Sequence, residues 1–152
     1  MKHIQPPSKL VYVDPTTTRV LFLAGSIEMD KAVRWQDRVV LDLVSTEWTI
    51  LNPRRDKWDG SMVQSIDNPA FVEQVEWEMR GMEIADTILF YFAPGTMSPI
   101  SLLELGLHAQ GDQRLVVVCP PGFWRKGNVD IVCRRYDIEQ FTTLDAAVKD
   151  LL

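Results

Sequence analysis

The spacing of apolar residues along this chain changes period several times. Arg19 to Gly25, RVLFLAG, is a continuous apolar run closed by glycine, which predicts a buried parallel strand. From Asp30 to about Thr46, apolar residues at Ala32, Val33, Val39, Val40, Leu43 and Val44 recur with a helical period. WTILNP, Trp48 to Pro53, predicts a second strand stopped by proline. Asn68-Pro69 then opens a helix through about Ala85, with asparagine as cap and proline in the first turn. DTILFYF and RLVVVCP predict a third and a fourth strand, with a helix starting at Ser98 between them. The tail, NVDIVCRRYDIEQF and TLDAAVKDLL, predicts one short and one terminal helix. Residues 1–18, rich in proline and threonine, read as an extended lead-in in which KLVYV suits an edge strand. Alternating strands and helices predict an open, mostly parallel α/β sheet with helices on both faces, a single domain spanning residues 1–152.

In such a sheet ligands bind beyond the carboxyl ends of the strands. Those ends read AGSIEMD, NPRRDKWDG, APGTMS and CPPGFWRKG, and none carries a dinucleotide or P-loop phosphate cradle. The AGS turn, Ala24 to Ser26, is either a small-ligand contact through backbone N–H groups or a tight strand-to-helix turn.

One helix carries an anomaly. In SPISLLELGLHAQ, serine and proline mark the start, with Ser98 expected to cap. Ser101, Glu104 and His108 then share one stripe, and Leu102, Leu103, Leu105 and Leu107 cover most of the rest. A helix apolar nearly all round is expected to be buried, so Glu104 is either half of a pair with His108 on a partly exposed face or a reagent in a dry pocket. Gly106, costly in mid-helix, suggests the close approach of another backbone or a ligand. Glu78 is a second carboxylate on a helix expected to pass near the crevice, whereas Glu76, Arg80 and Glu83 are spaced for intrahelical pairs on a solvated face. Two carboxylates at a strand-end crevice are equipment for glycosidic chemistry.

Composition narrows the partners. The chain has 152 residues, 46% hydrophobic, enough for a real core, and a net charge of −5 that disfavours nucleic-acid polymers and anionic membranes. PRRDK and CRRYD are short basic clusters with acids nearby, read as solvated faces or local anion contacts. No run reaches transmembrane length, and MKHIQPPSKL lacks the apolar core of a signal peptide, so a cytoplasmic location is expected. Cys119 and Cys133, with only His3 and His108 beside them, make neither a metal framework nor a disulfide scaffold, and both cysteines read as inert.

FLAGSI, WEMRGMEIAD and SPISLLELG, in this order and spacing over roughly Arg19 to Pro120, resemble the nucleoside 2-deoxyribosyltransferase family and the related 2′-deoxynucleoside 5′-phosphate N-hydrolases. The ELG helix is the most specific element of the match and the first-strand turn the least. The resemblance implies a flavodoxin-like fold and a retaining double displacement, in which Glu104 is the nucleophile that forms a covalent deoxyribosyl-enzyme and releases the base. Glu78 falls where an acidic residue assists, more often aspartate in the family, and Gly25 and Ser26 match the turn beside the sugar and base. Deoxynucleosides and free nucleobases are the implied substrates, with neither metal nor cofactor, in homo-oligomers whose sites lie near subunit interfaces.

The departures are informative. Phe22 stands where the transferases usually carry a tyrosine bonded to the nucleophile, so that contact must come from elsewhere, Tyr12 and Tyr91 being the alternatives. Ser98 stands where transferases place an aspartate that reads the base, which is similar to the hydrolase branch. The hydrolases hold a 5′-phosphate with a basic, glycine-rich sequence; here that place reads EMDK, and Glu28 would repel a phosphate, so free nucleosides are expected. The base is expected in the loop NPRRDKWDGS, with Asn52, Arg55 and Asp56 giving a donor and acceptor edge and Trp58 a stacking face. Against this stands the reading of Arg55 and Asp56 as an exposed pair and Trp58 as a core plug. The competing functions are an N-glycosidase acting on deoxynucleosides or their 5′-monophosphates, and a nucleoside-binding module that has lost its chemistry.

Overall fold

The computed structural model describes every residue except Met29, Lys57, Trp58 and Asp59, and every side chain of those residues except that of Tyr12. The described residues form β1 (Lys2–Ile4), β2 (Val20–Gly25), α1 (Trp35–Asp42), β3 (Thr49–Leu51), α2 (Pro69–Glu83), β4 (Thr87–Tyr91), α3 (Pro99–His108), β5 (Arg114–Val118), α4 (Lys126–Arg135), β6 (Glu139–Phe141) and α5 (Leu144–Leu151). Six strands make one sheet in the order β1-β3-β2-β4-β5-β6, parallel at every pairing. Leaving out the edge strand β1, the order is the 2-1-3-4-5 of flavodoxin-like folds, with its reversal between β2 and β4. No helix of the described residues is long and apolar enough to cross a membrane.

The continuous apolar runs follow from burial on both faces. Val20, Phe22, Ala24, Ile88, Phe90, Leu115 and Val117 face a layer that includes Trp77 and Met82 of α2, Leu105 of α3 and Val129 of α4. Leu21, Leu23, Leu89, Val116 and Val118 face α1 and α5 through Trp35, Val39, Val148 and Leu151. The helix from Asn68 forms as expected, with the Asn68 side chain accepting from Ala70 N and Pro69 in the first turn.

Four expectations are corrected. The first helix begins only at Trp35, not Asp30. Arg54 is the reason: its side chain, 1% exposed, takes the carbonyls of Val33 at 2.8 Å and Ala32 at 2.6 Å and the Asp30 carboxylate at 2.8 Å, turning residues 30–33 away from a helical ladder. The PRRDK cluster therefore holds a buried, internally paired arginine rather than a solvated face. KLVYV is not a strand; Leu10–Tyr12 is a single 3-10 turn that brings Leu10 and Val13 into the core beside Trp77, and the edge strand is β1. The tail also yields β6, a three-residue, half-exposed strand on β5 whose apolar signal is too weak to separate it from the flanking helices.

At the reversal, β2 and β4 approach closely. Gly25 lies at φ +133, and a Cβ there would fall 2.3 Å from Tyr91 O. Gly25→Ala is expected to cost more than about 2 kcal/mol, because both the clash and the left-handed backbone oppose a side chain; urea unfolding checks this, and a loss below that size would mean the strands part freely.

Candidate active site

The crevice opens where β2 and β4 end. Ser26 is fully buried, donates its N–H to Tyr91 O and accepts Ala93 N on its hydroxyl at 2.9 Å. The same hydroxyl hydrogen-bonds Ser98 Oγ at 2.6 Å and Thr96 Oγ1 at 2.8 Å, and the latter two are 3.0 Å apart. This knot, and not a capping bond, holds Ser98 ahead of α3: Ser98 occupies the N-cap position at φ +45 but its side chain caps nothing, which corrects the expected serine cap. Instead Glu28 Oε1 accepts Met97 N at 3.0 Å and Ser98 N at 2.6 Å.

α3 then carries Glu104 in its second turn, with Ser101 and Leu105 buried toward the sheet. Glu104 meets a charge from the neighbouring helix. Its carboxyl is pushed up to about 8, first by burial and then by Glu78 of α2. Glu78 is itself pushed up to about 7 by burial, against the opposing pull of a Gln74 hydrogen bond and the Arg55 charge. Among the described residues no hydrogen bond or ion pair reaches the Glu104 carboxylate, so the pairing with His108 is not formed. A carboxyl pair of this kind, partly buried and mutually repelling, titrates as a unit near neutral pH. It can supply one carboxylate and one proton at the same time.

Gln74 orients the pair and was not foreseen. Its Nε2 donates to Glu78 Oε1 at 2.6 Å and to Pro53 O at 3.2 Å, while its Oε1 accepts Arg55 Nε at 2.6 Å. The two donors and one acceptor fix the amide orientation, so Arg55 bears on Glu78 both through Gln74 and directly by its charge. The available signal was an i, i+4 spacing of glutamine and glutamate on one helix face.

The model of a family described as nucleoside 2-deoxyribosyltransferase like matches residues 18–123, which contain both carboxylates and the crevice turn. The chain belongs to the nucleoside 2-deoxyribosyltransferase-like family. A comparison with curated sequences finds no match. The crystal structure of a conserved protein from Enterococcus faecalis V583 is similar in fold, with a TM-score of 0.61 at 10% identity, over 89% of this chain and 99% of that one.

Within this nucleoside 2-deoxyribosyltransferase-like fold the remaining expected residues separate. Arg55 joins the site through Gln74. Asn52 is fully buried and spent on His3 and on Arg54 N, and Asp56 is an exposed side chain 3.7 Å from Arg34, so neither is presented as a base-reading edge. Trp58 lies outside the described residues. Phe22 is 1% exposed and packs on Trp77 and against Gly81, where a Cβ would sit 2.7 Å from its ring; it is core, with no surface for a ligand. Tyr91 points to the opposite face of the sheet, edge-on to Trp35, and cannot replace the missing tyrosine; the Tyr12 side chain is not among those described. Gly106 has open space around it rather than a close neighbour, and Ile100, Leu103 and Leu107 of α3 are exposed, so the helix is an outer-layer element rather than a buried one. Both cysteines are buried, with burial raising Cys119 to about 11 and Cys133 to about 12.

Gln74→Leu should remove the hydrogen bond that lowers the Glu78 carboxyl, so its titration should move upward from about 7. Carbon-13 NMR titration of glutamate-labelled protein reads this directly; an unmoved Glu78 would show that Gln74 does not tune it.

Proposed function

We propose that this protein transfers 2-deoxyribose between nucleobases by a retaining double displacement, with Glu104 as nucleophile and Glu78 as its proton-handling partner. The observation that carries the reading is the approach of these two carboxyls, from α2 and α3, each raised by burial and Glu104 further by Glu78, with no cation paired to Glu104 among the described residues. In the first step the proton shared by the pair passes from Glu104 to Glu78, a Glu104 oxygen bonds to C1′ as the N-glycosidic bond breaks, that bond's electron pair leaves with the base, and the base takes the proton from Glu78. In the second, a nitrogen of the incoming base attacks C1′ from the opposite face, its proton passes to Glu78, and the Glu104 ester bond breaks. Two inversions give retention. Lack of a 2′-hydroxyl favours the deoxy sugar, because no electron-withdrawing oxygen opposes the oxocarbenium-like transition state.

The reading includes a homo-oligomer. Ile100, Leu103 and Leu107 form an exposed apolar stripe on the helix that carries Glu104, a surface suited to a second copy and to closing the crevice against water.

Incubation with deoxyinosine, with and without adenine, tests the function. Deoxyadenosine formed only when adenine is present supports transfer; free deoxyribose in both supports the N-glycosidase, the reading to which Ser98 lends weight. No product and no mass-spectrometric adduct leaves a binding module.

Glu104→Gln should abolish turnover and the adduct while strengthening the fold at alkaline pH. The folded-state carboxyl is raised, so its favourable contribution is complete below about 4.5 and lost as pH rises through about 8. The variant escapes that loss, and at pH about 9 should exceed the wild type by about 2 kcal/mol or more, with little difference at pH about 4. Urea unfolding at both pH values checks this; an unfolded variant would make Glu104 structural.

A further inference from the structure

We infer that Arg55 makes this site selective among purines, favouring bases with a 6-carbonyl, hypoxanthine and guanine, over the 6-amino base adenine. The inference rests on the proposed function and names the substrate class within it. Gln74 is a spacer between two groups. Its Oε1 accepts Arg55 Nε at 2.6 Å and its Nε2 donates to Glu78 Oε1, also at 2.6 Å, so one planar amide holds the guanidinium and the carboxyl side by side. A further bond, from Nε2 to Pro53 O at 3.2 Å, opposes turning the amide over. The spacer leaves Glu78 Oε2 unused on one side and Arg55 Nη1 and Nη2 on the other, none with a partner among the described residues. These neighbours are unlike: one handles a proton, the other can only donate.

The two other side chains expected to read a base edge are spent elsewhere. Asn52 Oδ1 accepts Arg54 N, and the Asp56 carboxylate is exposed and turned to Arg34. A purine that gives up its sugar at N9 can take its proton at N7, while the electron pair of the broken bond goes to N9. Along that edge of the base the next group is the substituent on C6. With Glu78 at N7, half-buried Arg55 meets that substituent. An O6 accepts its N–H. An N6 amino group instead brings a second donor to a side chain that offers no acceptor, and a donor is left unpaired. Electrons that enter the ring as the bond breaks also spread onto O6, beside the guanidinium, so the same contact helps the base to leave.

Calorimetric titration of the wild type with free hypoxanthine, purine and adenine, which share N7 and differ at C6, tests the ligand side. Hypoxanthine should bind about tenfold more tightly than adenine, with unsubstituted purine between them. Arg55→Gln tests the protein side, because an amide offers the acceptor and donor that suit adenine. With guanine as acceptor base, the ratio of kcat/KM for deoxyinosine to that for deoxyadenosine should fall by about tenfold in the variant. An Arg55 that acted only by positioning Gln74 or by its charge on Glu78 would slow both donors alike and leave the ratio unmoved. An unmoved ratio, equal binding of hypoxanthine and adenine, tighter binding of adenine or binding of no base would overturn the inference. If Arg55→Gln does not fold, the order of the three bases on the wild type decides. Should the bases bind in the expected order while the wild type turns over neither deoxynucleoside, the transfer reading fails and the role of Arg55 stands; turnover of both without preference has the opposite meaning.

Discussion

The crevice depends on one close approach, that of Gly25 to the Tyr91 carbonyl, at a separation that no side chain on residue 25 would permit. It lets the ends of β2 and β4 run together, so that Ser26 lies beneath the β4 loop with its hydroxyl within reach of Ala93 N, Thr96 and Ser98. That knot sets where the chain turns into α3, and the start of α3 sets where Glu104 falls. A polar group as deeply buried as the Ser26 hydroxyl is stable only when bonded, and here its bonds are the device that joins the two strand ends.

The molecule treats its buried charges in opposite ways. Arg54 is enclosed by carbonyls, a carboxylate and Gln36, so each guanidinium nitrogen has a partner. Glu104 has none among the described residues and faces a second acid instead. A partly buried carboxyl left without a partner beside a second acid resists ionisation, an electrostatic strain felt when its proton leaves. Such strain belongs to sites where a group must react rather than rest.

What was legible in the sequence was local. The apolar runs of β2, β4 and β5, the Asn68-Pro69 helix start and the strand-end position of Glu104 all depend on neighbours within a turn or a strand. The illegible parts depend on partners far along the chain. α1 is shortened by an arginine some twenty residues away, the capping of α3 comes from Glu28 on the β2 loop, and Glu78 is tuned by a residue of the β3 loop through Gln74. Phe22 was misplaced for the same reason: alternation along β2 puts it on the crevice side of the sheet, but only the packing of Trp77 and Gly81 over it shows that it is sealed. Periodicity gives a side chain's face and not what covers it.

Glu28 also changes the meaning of Ser98. Read along the chain, serine at that position removes a negative charge from the helix start. Read in space, the charge is there, supplied by Glu28 at 2.6 Å from Ser98 N. The difference lies in what the charge is attached to. A carboxylate on α3 would be fixed with the helix, whereas Glu28 belongs to the turn that also carries Asp30, and Asp30 is bound to Arg54 at the end of β3. The polarity of the α3 start is thereby coupled to the β3 loop, which also supplies Arg55 to Gln74 and so to Glu78. Both acidic regions of the crevice, at the helix start and at the carboxyl pair, are held from the same short segment after β3. A displacement of that segment would alter them together.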